Sequence, residues 1–598
     1  MPVLDEKKRR KLQRKLQRRG RDAQQFGQQA DDQIERLLIR RFDRLVSVRR
    51  FVALFILLFA VLFFYSVLQI RALSPHYQAL LPVAGGMYSE GLVGTFTNAN
   101  PLYASGAADR AVSRLVFSGL FKFDADNNLV GDLAQSWKAD ERGTRYTITL
   151  RRDLVWHDGQ PFDASDVVFT YQTIQNAESR SSLYTSWQGI KVSKQDAYTV
   201  NFDLPNSLSA FPYSLVNGIV PQHLLKDTPP SQMRSASFNT DPIGTGPFVW
   251  RFVEVTGGSA INREQRIILA PFEKYWAGKP KLDGFSIIAY NDEQKLVKAF
   301  EDKKLNAISG LEALPDSLKK NTDIEVYNTP LNSVVMAFFN NSRPILTDLS
   351  VRRALVQSVD RKQVIPILNY PAKLVDSALL KTQLGYDPNI TQFPYSLEQA
   401  SQLLDNAGWT RGADGQRVNK DGQKLTLNLS SQDTREYTAV AQLLQKQWAA
   451  MGVETKVRFF SGDDLQSTII AGHDYDILLY GISLGVDPDV FAYWHSSQAP
   501  ISSQGHLNLS EYKSVAADQA LEAGRTRADP GLRALKYQPF LSAWVNDAPA
   551  LALYQPSVMY ITRGPVYGYQ RQAANSGVDR FYNVDQWMIR EQRQDRPK

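Results

Sequence analysis

The chain has 598 residues with 43% hydrophobic and 11% aromatic content, enough apolar mass for about two to four domains at roughly 150 residues each. Its net charge of +8 does not mark a nucleic-acid binder. Residues 1–50 carry 16 Lys+Arg and 7 Asp+Glu, a net +9, so the remaining 548 residues net −1. The absence of cysteine excludes disulfides, Cys-based zinc sites and a thiol nucleophile.

Residues 1–50 form a basic tail in which Lys and Arg alternate with Gln. It suits a solvated, partly helical segment near anionic lipid headgroups, and docking on a cytosolic partner is the other reading. Gly20 and Gly27 oppose one continuous helix. Residues 51–70 hold no formal charge, and as a helix they span about 30 Å, the thickness of a bilayer core. Arg49 and Arg50 close one side. The charge asymmetry predicts a single-pass anchor in the cell membrane, with a cytosolic N-terminus and residues 71–598 outside. A cleaved signal sequence is the alternative, and a fifty-residue basic lead and a long apolar run speak against it. Residues 71–95 read as a Pro/Gly-punctuated tether.

Beyond it, Asn100-Pro101-Leu102 precedes a short helix over 111–120, with Val112, Leu115 and Val116 inward. Residues 137–171 carry the densest pattern. Tyr146, Ile148 and Leu150 alternate as a half-buried strand, and His157-Asp158-Gly159 marks a turn. Asp163 then stands at an N-cap before Val167, Tyr171 and Ile174 at helical spacing. Residues 199–204 alternate as another strand. Gly244-Thr245-Gly246-Pro247-Phe248 looks like a phosphate cradle, but Pro247 offers no N–H and no Walker lysine follows.

Asp348 heads a helix with Val351, Leu355 and Val359 in one stripe. Ser396 and Gln399 spell a capping box over a buried face of Leu397, Ala400, Leu403 and Leu404, ending at Gly408. Leu425, Leu427 and Leu429 alternate, and Tyr437, Val440, Leu444, Trp448 and Met451 form a helix stopped at Gly452. Val453 to Phe459 alternate again, and 475–480 supply another apolar strand. Strand, helix and strand in that order predict a parallel crossover in an α/β fold.

The 137–171 pattern resembles the signature of the large extracytoplasmic solute-binding proteins of ABC importers, the oligopeptide, dipeptide and nickel type known as family 5. The 100–102, 219–223 (IVPQH), 244–248, 272–276 and 348–361 stretches resemble further landmarks, so the likeness covers about 85–565. It implies a two-lobed, three-domain clamshell behind the anchor: domain I from 96–122, 240–325 and 566–598, domain II from 123–239, and domain III from 326–565. It also implies capture of a small solute, a peptide or else an oligosaccharide, for two permease subunits and their cytosolic ATPases. An extracytoplasmic sensor on the same clamshell is the alternative. The membrane helix then serves where an N-terminal lipidated cysteine tethers relatives, since this chain has no cysteine.

No enzyme, cofactor or metal is expected. Gly481-Ile482-Ser483-Leu484-Gly485 matches the G-x-S-x-G nucleophile elbow, the one literal catalytic motif. Pro488 biases Asp487 away from the helix such an elbow enters, and only His495 and His506 follow, so a hydrolase at Ser483 is disfavoured. The six histidines make no H-x-x-x-H pair. In peptide-binding relatives an Asp after the 475–480 strand meets the peptide ammonium, and here the resemblance puts Leu484 at that position and Gly481 at a Trp. The expected ligand-binding residues are therefore Asp487 as charge, Trp494 as stacking platform and His495 as donor. Tyr480 and Gly481 stand beside them, with Asn100, Tyr103 and Asn340 placed by the resemblance.

Overall fold

The computed structural model describes residues 49–258, 263–501, 507–570 and 574–595, together with Lys11, Lys15 and Gly20. The chain forms two compact units, Pro82–Arg590 and a smaller one from Met1–Leu81 with Glu591–Lys598. In the smaller unit the helix Arg49–Tyr77 includes Phe51–Arg71, long and apolar enough to cross a membrane. Gln78–Val83 then pairs with Arg590–Asp595 in a two-stranded sheet. Most of the basic tail lies outside the described residues.

The expected tether is shorter than 71–95. The helix runs on to Tyr77, and Met87–Val93 is the central strand of a seven-stranded sheet. That sheet runs Ile324–Pro330, Ser557–Arg563, Ala307–Ser309, Met87–Val93, Gly284–Tyr290, Glu264–Pro271, Phe248–Thr256. Met87–Val93 pairs in parallel with both neighbours. The expected breaks at 325/326 and 565/566 cut this sheet, because Ser557–Arg563, placed in domain III, pairs with Ala307–Ser309, placed in domain I.

A four-stranded antiparallel sheet lies within 123–239, in the order Ala134–Ala139, Arg145–Leu150, Thr199–Asp203, Lys191–Asp196. Tyr146, Ile148, Leu150, Val200 and Phe202 all face one core, as their alternation requires. Asp163 closes a complete capping box on the helix Ala164–Gln175.

The second lobe is built on a six-stranded sheet: Lys373–Leu374, Ala550–Gln555, Ser333–Phe339, Ile477–Ser483, Thr426–Gln432, Glu454–Phe460. Thr426–Gln432 is parallel to Glu454–Phe460, with the helix Arg435–Ala450 between them in sequence. Both faces of this sheet are buried. Val335, Ala337 and Phe339 enter one core and Val334, Met336 and Phe338 the other. Ser396 caps Leu397–Asn406 by accepting the Gln399 N–H, and Leu397 itself is exposed rather than packed. The helix near 111–120 is Ala107–Val116, four residues earlier than its apolar spacing suggests.

Among the described residues the chain passes between the two large sheets twice. Leu331 and Asn332 link Ile324–Pro330 to Ser333–Phe339, and Pro556 links Ala550–Gln555 to Ser557–Arg563. The crossings touch, with the Leu331 N–H donating to the Pro556 carbonyl at 2.8 Å. Two short adjacent links are the connection that a hinge motion between the sheets requires.

Candidate functional site between the lobes

The 137–171 segment is a brace for the first lobe. His157 Nδ1 accepts the Gly244 N–H at 3.2 Å, which leaves Nε2 protonated to donate to the Gly246 carbonyl at 3.0 Å. Burial lowers the His157 pKa to about 4, so the ring is neutral. The glycines of the 244–248 turn are there for close approach. A Cβ on Gly244 would lie 1.9 Å from the Val116 carbonyl oxygen, and the Gly246 N–H donates to that oxygen at 2.8 Å. The turn seats a helix end and cradles no phosphate.

A cavity of about 630 Å³ lies where the four-stranded sheet faces the second lobe, a volume in the usual range for small-ligand sites. Trp137, Tyr146, Ser209 and Tyr213 line it from one side, and Asn332, Gln383, Asp487 and Arg533 from the other. Its floor is an ion pair. Arg533 Nη1 and Nη2 donate to Asp487 Oδ2 and Oδ1, each at 2.6 Å, with side-chain exposures of 7% and 9%. Burial alone would lower the Arg533 pKa, and the Asp487 bonds reverse that and raise it.

At the cavity edge the lobes bond directly. The Ser209 N–H donates to the Arg525 carbonyl at 2.9 Å, its hydroxyl donates to the Arg527 carbonyl, and Ser207 Oγ donates to Thr526 O at 3.3 Å. The Arg525 carbonyl ends the helix Val515–Arg525 and Thr526 is its C-cap, where helix carbonyls have no intrahelical donor. Tyr146 holds the same loop by donating to the Leu208 carbonyl at 2.9 Å.

A second cluster surrounds Gly481. A Cβ there would lie 2.8 Å from the Tyr437 hydroxyl, so glycine lets that ring pack on the strand. Tyr554 donates to Glu436 Oε1 at 2.5 Å, and Tyr480 is bonded to Gln466. Burial pushes the Glu436 carboxyl above the usual carboxylate range. Hydrogen bonds from tyrosine oppose the shift, and the Glu312 carboxylate adds to it.

Residues 128–503 match the family model described as "Bacterial extracellular solute-binding proteins, family 5 Middle". The chain belongs to this family. The match covers the four-stranded sheet and most of the second lobe, and relatives extend the likeness outward. The oligopeptide-binding protein AppA of Bacillus subtilis is 25% identical over 517 residues, covering 85% of this chain and 92% of its own. The solved structure of NikZ from Campylobacter jejuni in complex with Ni(L-His) is 26% identical with a TM-score of 0.70, covering 84% and 99% of the two chains. AppA in complex with a nonapeptide gives a TM-score of 0.68 at 24% identity, covering 85% and 100%.

Within this family 5 chain the expected site residues separate. Asp487 lines the cavity, yet both its oxygens are committed to Arg533. Leu484, at the expected carboxylate position, is buried, and its N–H donates to the Asn332 carbonyl at 2.9 Å. Trp494 is no open platform: it is 0% exposed, stacked on Phe338 at 5.8 Å and edge-on to Trp544. His495 stacks on Phe491 and faces Ser497 and Glu522. Asn100, Tyr103 and Asn340 hold backbone instead. They bond the Leu102 N–H, the Ser179 carbonyl, and the His473 and Tyr475 carbonyls respectively. Tyr480 and Gly481 sit in the Glu436 cluster. Sequence reasoning missed Arg533, Ser209, Tyr213 and Glu436, which carry no motif.

Ser483 does not form an elbow. It ends the strand Ile477–Ser483, three residues beyond the expected strand end, and pairs with Ser333 in the ladder. His495 is turned to Ser497 and Glu522, and His506 lies outside the described residues.

Proposed function

We propose that this protein is the solute-binding subunit of an ABC importer, anchored in the cell membrane by the helix at 51–71, and that it captures peptides between its lobes for the permease. The observation that carries this reading is the cavity walled by both lobes beside a two-link hinge. A solute touching both walls stabilises the closed arrangement by its differential affinity for the two states. Peptides are favoured because AppA is an oligopeptide-binding protein, solved with a nonapeptide. Trp494, the platform expected for an oligosaccharide, lies in the core.

The chain's lack of cysteine makes the test direct. Glu141→Cys and Lys420→Cys place one dye on each lobe of the full chain in lipid nanodiscs. Short peptides should raise the energy transfer between the dyes in a saturable way. No change across di- to nonapeptides would defeat the proposal.

A further inference from the structure

Asn332, in the first crossing between the two large sheets, divides its polar groups between the lobes. It is 3% exposed and lines the inter-lobe cavity. Its N–H donates to the Ala574 carbonyl at 2.7 Å, and its Nδ2 donates to Asn575 Oδ1 at 2.9 Å. Ala574 in turn donates its own N–H to the Pro330 carbonyl at 3.0 Å. The segment from 574 runs into the short helix Gly577–Phe581. Arg580 of that helix pairs with the buried Glu90 on the central strand Met87–Val93, so the segment belongs to the first lobe. The Asn332 carbonyl serves the other lobe and accepts the N–H groups of Leu484 and Gly485 at 2.9 and 3.1 Å. Leu484 packs in a second-lobe core. Gln383 Nε2 donates at 3.1 Å to the carbonyls of both Gly485 and Asp487, tying the same loop to the cavity floor.

One single bond, from the Asn332 α-carbon to its carbonyl carbon, therefore separates the groups held by the first lobe from the group held by the second. A turn about that bond moves one lobe against the other and keeps these hydrogen bonds. A turn elsewhere in the crossing breaks some of them, since Ser333 is in the ladder opposite Ser483 and the Leu331 N–H is held by the Pro556 carbonyl. Buried polar groups left unpaired are costly. At the second crossing the ring of Pro556 locks its own φ, so few bonds turn there either.

We propose that Asn332 is the pivot residue of lobe closure, its amide and side chain riding with the first lobe and its carbonyl with the second. The inference rests on the solute-capture reading above and adds the residue that positions the moving lobe. The bond to Asn575 fixes the axis. Without it, one backbone bond holds the first-lobe half of the residue, the lobes sample a wider range of angles, and a solute must order them as it binds.

The test uses the two-dye full chain in nanodiscs, an Ala-rich pentapeptide as probe, and the variants Asn332→Ala, Asn575→Ala and their combination. Asn575 does not line the inter-lobe cavity, so its substitution removes the bond without altering the wall that faces the solute. Each single variant should broaden the peptide-free distribution of energy transfer and weaken peptide binding about three- to tenfold, the effect of one lost hydrogen bond. The double variant should be no worse than either single one. Saturating peptide should return every variant to the wild-type transfer efficiency, which a general loss of structure would not do. Urea midpoints without peptide report whether each variant is folded. If peptide leaves the wild type unchanged, the solute-capture reading falls, and the peptide-free distributions still decide the pivot. Unbroadened distributions in the folded single variants, additive losses in the double variant, or weaker binding in Asn332→Ala alone would each overturn the pivot.

Discussion

Asp487 and Arg533 meet as a parallel fork on the floor of the inter-lobe cavity, two 2.6 Å bonds joining residues 46 positions apart. The loop carboxylate that looked available to a ligand is thus already neutralised. Arg533 Nε is also engaged, donating to the Gly524 carbonyl at 3.0 Å. The pair fixes the loop after the strand Ile477–Ser483 against the first turn of the helix Pro530–Asp547.

Asp487→Asn should therefore act on stability before it acts on binding. It leaves a buried guanidinium without its counter-charge, a loss of about 3–5 kcal/mol. Urea unfolding checks the size. The double variant Asp487→Leu with Arg533→Met should recover most of the loss, because no charge is then left stranded.

His157 makes the fold acid-sensitive. Its folded pKa, lowered to about 4, lies below the ordinary value of 6.5, so the unfolded chain binds more protons between those limits. Its contribution is complete above pH 6.5 and fades as the pH falls toward 4, by at most about 3 kcal/mol. Urea midpoints across that window should fall less steeply in His157→Gln than in the wild type.

Gly244→Ala should be among the costliest single-methyl additions in the chain. The new Cβ would sit 1.9 Å from the Val116 carbonyl oxygen, so the turn or the helix end must shift. The expected loss is about 1–3 kcal/mol or more, with the melting temperature as readout. Gly159→Ala meets no atom within 4 Å and should cost only the strain of its φ of +87°.

Ser209→Ala removes one inter-lobe hydrogen bond and leaves the Ser209 N–H bond in place. A loss of about 1 kcal/mol should shift the closed-to-open ratio about fivefold toward open. The two-dye measurement in the absence of peptide reads this directly.

The membrane orientation proposed above predicts a proteolysis pattern. External protease on intact cells should release a fragment beginning between Tyr77 and Met87, because the membrane-type helix precedes that stretch and the central strand of a sheet follows it. Protection of the whole chain would reverse the orientation.

The sequence by itself determined what depends on near neighbours. The alternation at 145–150, the Asp163 cap and the Gly452 stop were legible because a strand face, a helix end and a positive-φ turn each involve residues a few positions apart. The family likeness was legible for the same reason, since its motifs are such local units. Only the tertiary structure decided which side chains face solute. Trp494 read as an exposed platform because its four-residue helix has no periodicity of its own, and the packing of Phe338 and Trp544 buried it. Met87–Val93 read as tether because a central strand covered on both faces needs no alternation, and its glycine resembled punctuation. Arg533 beside Asp487, and Tyr554 beside Glu436, come from positions far apart in sequence that sheet order and helix packing bring together. A carboxylate's role depends on the charge that ends up next to it, and one sequence records no such distance.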